Sequence, residues 1–313
     1  MRILFMGTPD FAVPCLEALI EHNYNVIGVV TQPDRPKGRK QVLTPPPVKV
    51  VAEKYNLPVF QPEKISNNDE TDKFKDMQID LVITAAFGQL LSKEFLAIPR
   101  LGCINVHASL LPKYRGGAPI HWAVINGETE TGVTIMYMVE KLDAGPMISQ
   151  KTVQIADTDT TGIVYDKVTK AGATLLIETL PELINGRCSP VEQDHRQATF
   201  AYNIRREDEI IDWRRPAKEI YNQVRGLAPW PGAYTTLEGQ IIKVWSSEEF
   251  NDNINNSYDR VGTVVKVVKE GPIISTGNGL LLIKEIQPAG KKLMPATNYV
   301  NNGKLLQGTS LGT

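Results

Sequence analysis

The 313-residue chain is predicted to be an α/β protein, with a Rossmann-like parallel-sheet N-terminal domain and a C-terminal OB-like β-barrel domain. Three observations indicate this architecture. Short β-rich runs alternate with helical patterns over roughly the first 190 residues, and about five short runs separated by turns follow later. A composition that is 42% hydrophobic and 22% charged gives two cores enough apolar residues. The predicted boundaries are 1–188 for the first domain, 189–205 for a polar linker and 206–313 for the second domain.

In the first domain, the spacing of apolar residues predicts the elements in turn. The predicted strands are residues 3–6, 25–31, 58–60, 81–85, 103–107, 132–138 and 147–155. The predicted helices between and after them are residues 11–22, 47–55, 69–77, 120–126 and 161–184. Strands that alternate with helices form a parallel sheet covered by helices. The turn after the first strand, Gly7-Thr8-Pro9-Asp10, lacks the GxGxxG pattern of dinucleotide-binding dehydrogenases.

In the second domain, one helix precedes a set of short strands. The helix is predicted at residues 217–225, and the strands at 233–237, 240–245, 262–268, 272–276 and 280–287. Their number and spacing are typical of a small OB-like barrel. Residues 251–259 are a polar loop, and the end from residue 301 onward is expected to be mobile.

Composition limits the classes of function. A formal charge of −1 means that any nucleic-acid contact must come from local basic patches. The three cysteines lack CxxC spacing, and no two histidines have the i, i+4 spacing of a helical metal pair. No metal and no disulfide framework are therefore expected. No run approaches ~18 apolar residues, so the chain is expected to be cytoplasmic, without a membrane span.

The best candidate site is the predicted strand 103–107. Alternate strand residues share a face, so Asn105 and His107 should project together. An amide N–H can stabilise an oxyanion, and neutral imidazole can accept a proton from an attacking amine. A carboxylate bonded to the other ring nitrogen would fix the imidazole tautomer, and Asp143 is the candidate. The pattern indicates acyl transfer without a Ser or Cys nucleophile, although a structural His and a turn Asp would also fit these residues when each is taken alone.

Several motifs in order carry a family resemblance. They are Gly7-Thr8-Pro9-Asp10-Phe11, Thr31-Gln32-Pro33-Asp34-Arg35-Pro36, Asn105-Val106-His107, Ser109-Leu110-Leu111-Pro112, Leu142-Asp143-Ala144-Gly145 and Pro229-Trp230-Pro231. Together they resemble the formyltransferases that use 10-formyltetrahydrofolate. The resemblance covers nearly the whole chain and is greatest to the branch of that family that acts on methionyl-tRNA.

The resemblance implies an activity and a set of residues. The formyl group of 10-formyltetrahydrofolate would pass to the α-amino group of methionine on initiator methionyl-tRNA, for translation initiation, by an enzyme that acts as a monomer. The implied catalytic residues are Asn105, His107 and Asp143. The implied folate-binding loop is Ser109, Leu110, Leu111 and Pro112, whose backbone groups would meet the pterin edge, with residues 87–91 as a further wall.

Basic residues are the candidates for tRNA binding. The family resemblance assigns the loop carrying Arg35, Lys37, Arg39 and Lys40 to the acceptor end of the tRNA, although such a charge run also fits a solvated face. Lys113 and Arg115 extend this character toward the predicted catalytic residues. Arg205 and Arg206 begin a basic stretch that could follow a phosphate backbone.

Other functions use the same residues. The acceptor could instead be a ribonucleotide amine, an amino sugar or water. A non-catalytic RNA-binding module on the same scaffold is a second class, and an intact set of Asn105, His107 and Asp143 argues against it.

Overall fold

A seven-stranded mixed sheet organises the first part of the chain. The computed structural model describes residues 1–38, 40–251 and 260–312. The strands of this sheet are β1 (Ile3–Gly7), β2 (Val26–Val30), β5 (Val59–Phe60), β6 (Leu81–Ala85), β7 (Cys103–His107), β8 (Glu130–Tyr137) and β9 (Met147–Gln154). Their order is β5-β2-β1-β6-β7-β8-β9.

The direction of one strand, β8, corrects the sequence-based expectation. Strands β5, β2, β1, β6 and β7 are parallel, whereas β8 is antiparallel to both β7 and β9. The Rossmann-like α/β class is confirmed, but the sheet is mixed rather than wholly parallel. Alternation of apolar residues predicts that a strand exists and which face is buried, and it carries no information on the direction of the neighbouring strand.

Burial follows position in the sheet. Every residue of β1 and β6 is buried, as expected for central strands covered on both faces. The helices of the chain up to residue 184 are α1 (Val13–Glu21), α2 (Pro47–Lys54), α3 (Asn68–Lys75), α4 (Lys93–Leu96), α5 (Pro119–Ile125) and α6 (Thr161–Ile184). The short α4 was not predicted. Its N-cap is Ser92, whose hydroxyl accepts a hydrogen bond from the Phe95 amide at 3.2 Å.

The basic loop after β2 contains a small hairpin that the sequence did not predict. Strands β3 (Arg35–Lys37) and β4 (Val42–Thr44) pair antiparallel, with Lys37 opposite Val42. Arg39, which was predicted to contact tRNA, lies outside the described residues.

The second part of the chain forms an antiparallel sheet, as predicted. Its elements are α7 (Ala217–Gly226), β10 (Ala233–Leu237), β11 (Gln240–Phe250), β12 (Val264–Val268), β13 (Gly271–Ser275), β14 (Leu280–Pro288), β15 (Met294–Pro295) and α8 (Ala296–Asn301). The strand order is β10-β11-β14-β13-β12, with β15 added to β14. This is a Greek-key order, as in OB-like folds. Among the described residues no ladder joins β10 to β12, so the barrel is open there.

The C-terminal end corrects another expectation, because it is packed rather than mobile. Leu305 and Leu311 are buried in the core of the second sheet. The amide of Val264 donates to the Thr309 carbonyl at 2.8 Å, and the amide of Leu311 donates to the Gly262 carbonyl at 2.7 Å. Most of the polar loop predicted at residues 251–259 lies outside the described residues.

The chain forms two compact units that are not consecutive in sequence. The first comprises residues 1–119, 130–154 and 165–202, and the second comprises residues 120–129, 155–164 and 203–313. These units differ from the predicted division into 1–188, 189–205 and 206–313, since 189–202 fall in the first unit and two short earlier segments fall in the second. None of the described helices combines the length and apolar character that a bilayer crossing requires.

Candidate active site

The end of β7 positions the two central polar side chains. Asn105 and His107 alternate with the buried Ile104 and Val106, so both project from one face of the strand, as predicted. His107 is 6% exposed, whereas Asn105 is half-buried. The buried His107 imidazole can therefore act on a substrate atom that approaches from the side of the more accessible Asn105 amide.

Thr84 holds the amide of Asn105. It lies on the neighbouring strand β6, directly opposite Asn105 in the parallel ladder. The Thr84 hydroxyl donates to Asn105 Oδ1 at 2.7 Å, which is the shortest of its contacts, and the side chain is 2% exposed. With Oδ1 occupied, the Nδ2 hydrogens of Asn105 remain directed away from Thr84 and available to a substrate oxygen. Thr84 was not predicted from the sequence.

A backbone carbonyl fixes the imidazole of His107. Its Nε2 lies 3.0 Å from the Tyr114 carbonyl oxygen, and because a carbonyl only accepts, Nε2 carries a proton. In the neutral ring Nδ1 is therefore the nitrogen with the lone pair. Nδ1 lies 3.7 Å from Asp143 Oδ2, which is longer than a hydrogen bond but close for a charge interaction. The expected carboxylate–imidazole hydrogen bond is thus replaced by the Tyr114 carbonyl, and Asp143 can act on His107 through charge.

Asp143 is itself held by the loop that follows β7. Its Oδ2 accepts a hydrogen bond from the Gly116 amide at 2.8 Å, and its side chain is 12% exposed. Gly116 has a φ of +120°, and a Cβ there would lie 2.6 Å from the Ala201 carbonyl oxygen. Only glycine fits this position without displacing that backbone, so the residue type follows from the geometry.

A buried polar group supports the backbone around Asp143. Gln193 is 4% exposed, and its Nε2 donates to the carbonyls of Asp143 at 2.9 Å and Gly145 at 2.8 Å. Gln193 Oε1 accepts from Arg115 Nη2 at 2.6 Å. Asp143 has a φ of +47°, a conformation that costs free energy for a residue other than glycine. The two bonds from Gln193 help to keep it there.

Arg115 is buried and bonded to side chains of the interior. It is 5% exposed, and besides Gln193 its Nη2 lies 3.0 Å from His195 Nδ1. Burial lowers the pKa of Arg115, and the charge of Asp143 partly opposes this. Arg115 therefore belongs to the interior network behind the site, whereas Lys113 is exposed.

The loop of Ser109, Leu110, Leu111 and Pro112 is fixed by polar groups of β8 and β9. Thr134 Oγ1 donates to the Ser109 carbonyl at 2.7 Å and accepts from the Leu111 amide at 3.1 Å. Gln150 donates to the Leu111 carbonyl at 2.9 Å. The Ser109 carbonyl and the amide and carbonyl of Leu111 therefore have partners within the protein. Ala86 and Gly88, which follow β6 at the same edge of the sheet, are exposed and therefore more accessible than these groups.

The predicted tRNA-binding side chains that the structure describes are exposed, and several are paired with carboxylates. Arg35 Nη2 lies 2.6 Å from Glu63 Oε2, and Arg205 Nη1 lies 3.2 Å from Glu207 Oε1. Arg206 pairs with Glu209, and its guanidinium lies over the Tyr234 ring, 4.0 Å from the centroid. Lys37 and Lys40 are exposed on the hairpin loop. Exposed ion pairs contribute little to stability, so phosphates could replace the carboxylates at low cost.

Within the described residues, no group of three or more His, Cys, Asp and Glu side chains is arranged to hold a metal ion. The three cysteines are free thiols. Burial raises the pKa of Cys15 and of Cys103 to about 12, so neither forms a thiolate nucleophile at neutral pH.

Comparisons with known proteins agree over the whole chain. A family model described as formyl transferase matches residues 1–180, and one described as formyl transferase, C-terminal domain, matches residues 203–304. The methionyl-tRNA formyltransferase of Bacillus subtilis strain 168 is 56% identical over 312 residues, which cover 99% of this chain and 98% of the relative. That of Bacillus velezensis is 55% identical with the same coverage.

Solved structures share the fold at low identity. An N-formyltransferase from Helicobacter canadensis, in complex with folinic acid and dTDP-3-aminofucose, superposes with a TM-score of 0.67 at 20% identity, covering 92% of this chain and 99% of that one. HypX from Aquifex aeolicus, in complex with tetrahydrofolic acid, has a TM-score of 0.63 at 17% identity over 96% of this chain. This chain spans 47% of the length of HypX.

Proposed function

This chain belongs to the formyl transferase family, and from that premise we propose that it transfers the formyl group of 10-formyltetrahydrofolate to the α-amino group of methionine on initiator methionyl-tRNA. The supporting observation is the arrangement at the end of β7, where Asn105 and His107 share a strand face and His107 Nδ1 lies 3.7 Å from Asp143 Oδ2. The full-length similarity to methionyl-tRNA formyltransferases supports the acceptor.

Asn105 stabilises the charge that develops in the reaction, and His107 transfers the proton. 10-Formyltetrahydrofolate supplies a formyl carbon attached to nitrogen, which the methionine amine attacks. Asn105 donates from Nδ2 to the formyl oxygen as it becomes anionic. His107 accepts the amine proton at Nδ1, because Nε2 is already protonated and bonded to the Tyr114 carbonyl.

The same proton completes the reaction. The carbon–nitrogen bond to the folate breaks, and the leaving nitrogen takes the proton back from Nδ1, so no net proton is released. Asp143 stabilises the imidazolium in the interval, since a carboxylate oxygen at 3.7 Å attracts a positive ring. No covalent bond to the protein forms at any step.

Assignments that rest on the family alone complete the proposal. Residues 1–188 would hold the folate and the catalytic groups, with the loop 109–112 as one wall of the folate site. Residues 206–313 would contact the tRNA. Arg35, Lys37, Arg39, Lys40, Arg205 and Arg206 would bind phosphates. The enzyme would act as a monomer in the cytoplasm, which size-exclusion chromatography with light scattering can test for the oligomeric state.

The test is formyl transfer to charged initiator tRNA by the purified chain. We expect Asn105→Ala to lower kcat by about 100- to 1,000-fold, as loss of an oxyanion donor does, and His107→Ala by about 100- to 10,000-fold. His22→Ala is a matched control, because His22 is an exposed histidine at the end of α1. Failure of the wild-type chain to formylate the tRNA, or full activity of His107→Ala, would contradict the proposal. A parallel assay with a dTDP-amino sugar tests the alternative acceptor.

Point variants are the appropriate tool for the second part of the chain. Deletion of residues 206–313 would remove most of the second unit and leave residues 120–129 and 155–164 without their core. Loss of activity after such a deletion would therefore not identify a tRNA contact.

A further inference from the structure

Two exposed aromatic side chains lie on the segment that pairs with the loop after β7. Phe200 is 52% exposed and Tyr202 is 63% exposed. Their rings are nearly parallel, with an interplanar angle of 11° and centroids 6.0 Å apart. Among the described residues only one further aromatic side chain, Trp230, is comparably exposed. Adjacent exposed aromatic side chains are typical of binding surfaces.

The backbone holds these two rings outward. Residues 199–202 are extended and hydrogen-bonded to the loop after β7. The Arg115 amide donates to the Thr199 carbonyl at 2.9 Å, and the Ala201 amide donates to the Arg115 carbonyl at 2.7 Å. Ala201 is fully buried, so the side chains on either side of it point away from the interior.

A short path connects the pair to the catalytic histidine. His107 Nε2 bonds to the Tyr114 carbonyl, and the Tyr114 amide donates to Thr199 Oγ1 at 2.8 Å. Phe200 is the next residue. The aromatic pair is therefore fixed to the same loop that sets the imidazole, and a molecule seated on the rings has a defined position relative to Nδ1.

We propose that Phe200 and Tyr202 form a stacking platform for the unpaired base of the acceptor's 3′-terminal nucleotide. The inference rests on the proposed function, in which the reacting amine is carried on an ester of that nucleotide's ribose. The amine cannot reach His107 unless the base attached to the same ribose lies close by. Aromatic rings take any base by stacking, at about 1–3 kcal/mol per base. The exposed Lys113 in the adjoining loop suits the neighbouring phosphate.

The direct test uses uncharged tRNA with 2-aminopurine as its 3′-terminal base. Stacking quenches 2-aminopurine fluorescence, so binding to the wild-type chain is expected to lower the signal. The double variant Phe200→Leu/Tyr202→Leu keeps apolar side chains but removes both rings, and the quenching is expected to disappear. Tyr202→Phe retains the ring and should behave as the wild type.

Kinetics supply the second measurement. Stacking binds the ground state and the transition state equally, so the double variant should raise KM for methionyl-tRNA by about 10-fold or more and leave kcat within about twofold. Tyr55→Leu is the matched control, since Tyr55 follows the C-terminal end of α2, at the edge of the sheet opposite to the site. Thermal unfolding of each variant monitors the fold.

The outcomes separate the platform from the proposed function. Unchanged quenching and unchanged KM in the double variant would overturn the platform while formylation by the wild type stands. A shift of the double variant to a smaller oligomer, with quenching intact, would assign the rings to a second copy and also overturn it. Absence of formylation by the wild type, with quenching present, would contradict the proposed function alone.

Discussion

At the scale of single residues, neighbours decide which atoms of the site react. The Tyr114 carbonyl and the Thr84 hydroxyl are each bonded to one end of a candidate catalytic side chain, at 3.0 Å from His107 Nε2 and 2.7 Å from Asn105 Oδ1. The roles proposed for the opposite atoms, His107 Nδ1 and Asn105 Nδ2, therefore depend on which atoms these two partners occupy.

Thr84 gives a prediction at this scale. Thr84→Val has the same shape but no hydroxyl, so the Asn105 amide loses the group that orients it, and kcat should fall by about 10- to 100-fold. Thr84→Ser retains the hydroxyl and should restore most of the activity. Steady-state kinetics of formyl transfer check both variants.

A matched control is available for that prediction. Thr31 is fully buried, and its hydroxyl makes no hydrogen bond to the described part of the chain. Thr31→Val should leave kcat unchanged. Equal activities of Thr84→Val and the wild type would show that Asn105 does not depend on the Thr84 hydroxyl.

Only some residues of this site could be predicted from the sequence. The strand period predicted that Asn105 and His107 share a face, because side-chain direction follows from backbone geometry alone. The Tyr114 carbonyl could not be predicted, since every residue carries one and no residue type marks it. The sequence predicts a polar linker at Gln193. Its burial was not predicted, because burial of a polar side chain depends on its hydrogen-bond partners, and Asp143 and Gly145 are about 50 residues away.

At the scale of elements, Gln193 joins the segment after α6 to the loop of Asp143. Gln193→Leu would leave the carbonyls of Asp143 and Gly145 and the Arg115 guanidinium without this partner. We expect a loss of about 1–3 kcal/mol in the free energy of unfolding and a lower kcat. Urea denaturation and formylation kinetics measure the two effects.

Gln197→Leu provides the comparison for Gln193. Gln197 lies in the same segment, but it is exposed and bonds only to Asp194 among the described contacts. Its replacement should change the unfolding free energy by less than about 0.5 kcal/mol. The role given to Gln193 fails if both variants unfold alike.

Asp80 ties the beginning of β1 to the beginning of β6 and gives a pH prediction. It accepts from the Arg2 amide at 2.8 Å and from Arg100 Nε at 3.1 Å, and these bonds hold the pKa of Asp80 below its usual value of 3.8. A carboxyl whose pKa is lowered by folding stabilises the protein above its unfolded pKa, and this stabilisation is lost as the pH falls through the folded value.

The corresponding measurement compares Asp80→Asn with the wild type. The variant should be less stable at pH 7, and the difference in unfolding free energy should shrink as the pH is lowered below about 4. A difference that stays constant from pH 7 to pH 3 would exclude the carboxylate as its source.

Some helices and strands could be predicted from the sequence and others could not, for physical reasons. Strands such as β1 and β6 are recognisable because complete burial demands a continuous apolar run. The β3–β4 hairpin was not predicted, since its three-residue strands are exposed or half-buried and carry the charges of a loop. The end from residue 301 onward was expected to be mobile because chain ends usually are, yet the buried Leu305 and Leu311 anchor it.

At the scale of the whole molecule, a net charge of −1 requires that an RNA partner be attracted locally. We expect KM for methionyl-tRNA to rise steeply with salt, because bound phosphates release counterions. Lys37→Ala and Arg205→Ala should each raise KM and reduce the slope of log KM against log salt by about 1. Lys54→Ala, at the end of α2, should change neither.

The predictions for Lys37 and for Arg205 can be contradicted independently. An unchanged slope in Lys37→Ala would show that Lys37 of the β3–β4 hairpin does not bind a tRNA phosphate. An unchanged slope in Arg205→Ala would show that Arg205 of the wild type stays paired with Glu207 when tRNA binds. The sequence located these basic residues, but it could not show their carboxylate partners, which depend on local folding.

The interleaving of the two units has a consequence for synthesis. Residues 120–129 and 155–164 belong to the second unit but leave the ribosome well before residues 203–313, and Ile125 shares a core with Ile220 and Val224. At about 5–20 residues per second, those early segments wait many seconds for the strands that will cover them. The nascent chain thus exposes apolar side chains from its middle until the last strand is made, and that interval is when a chaperone that holds unfolded chains would be most useful to it.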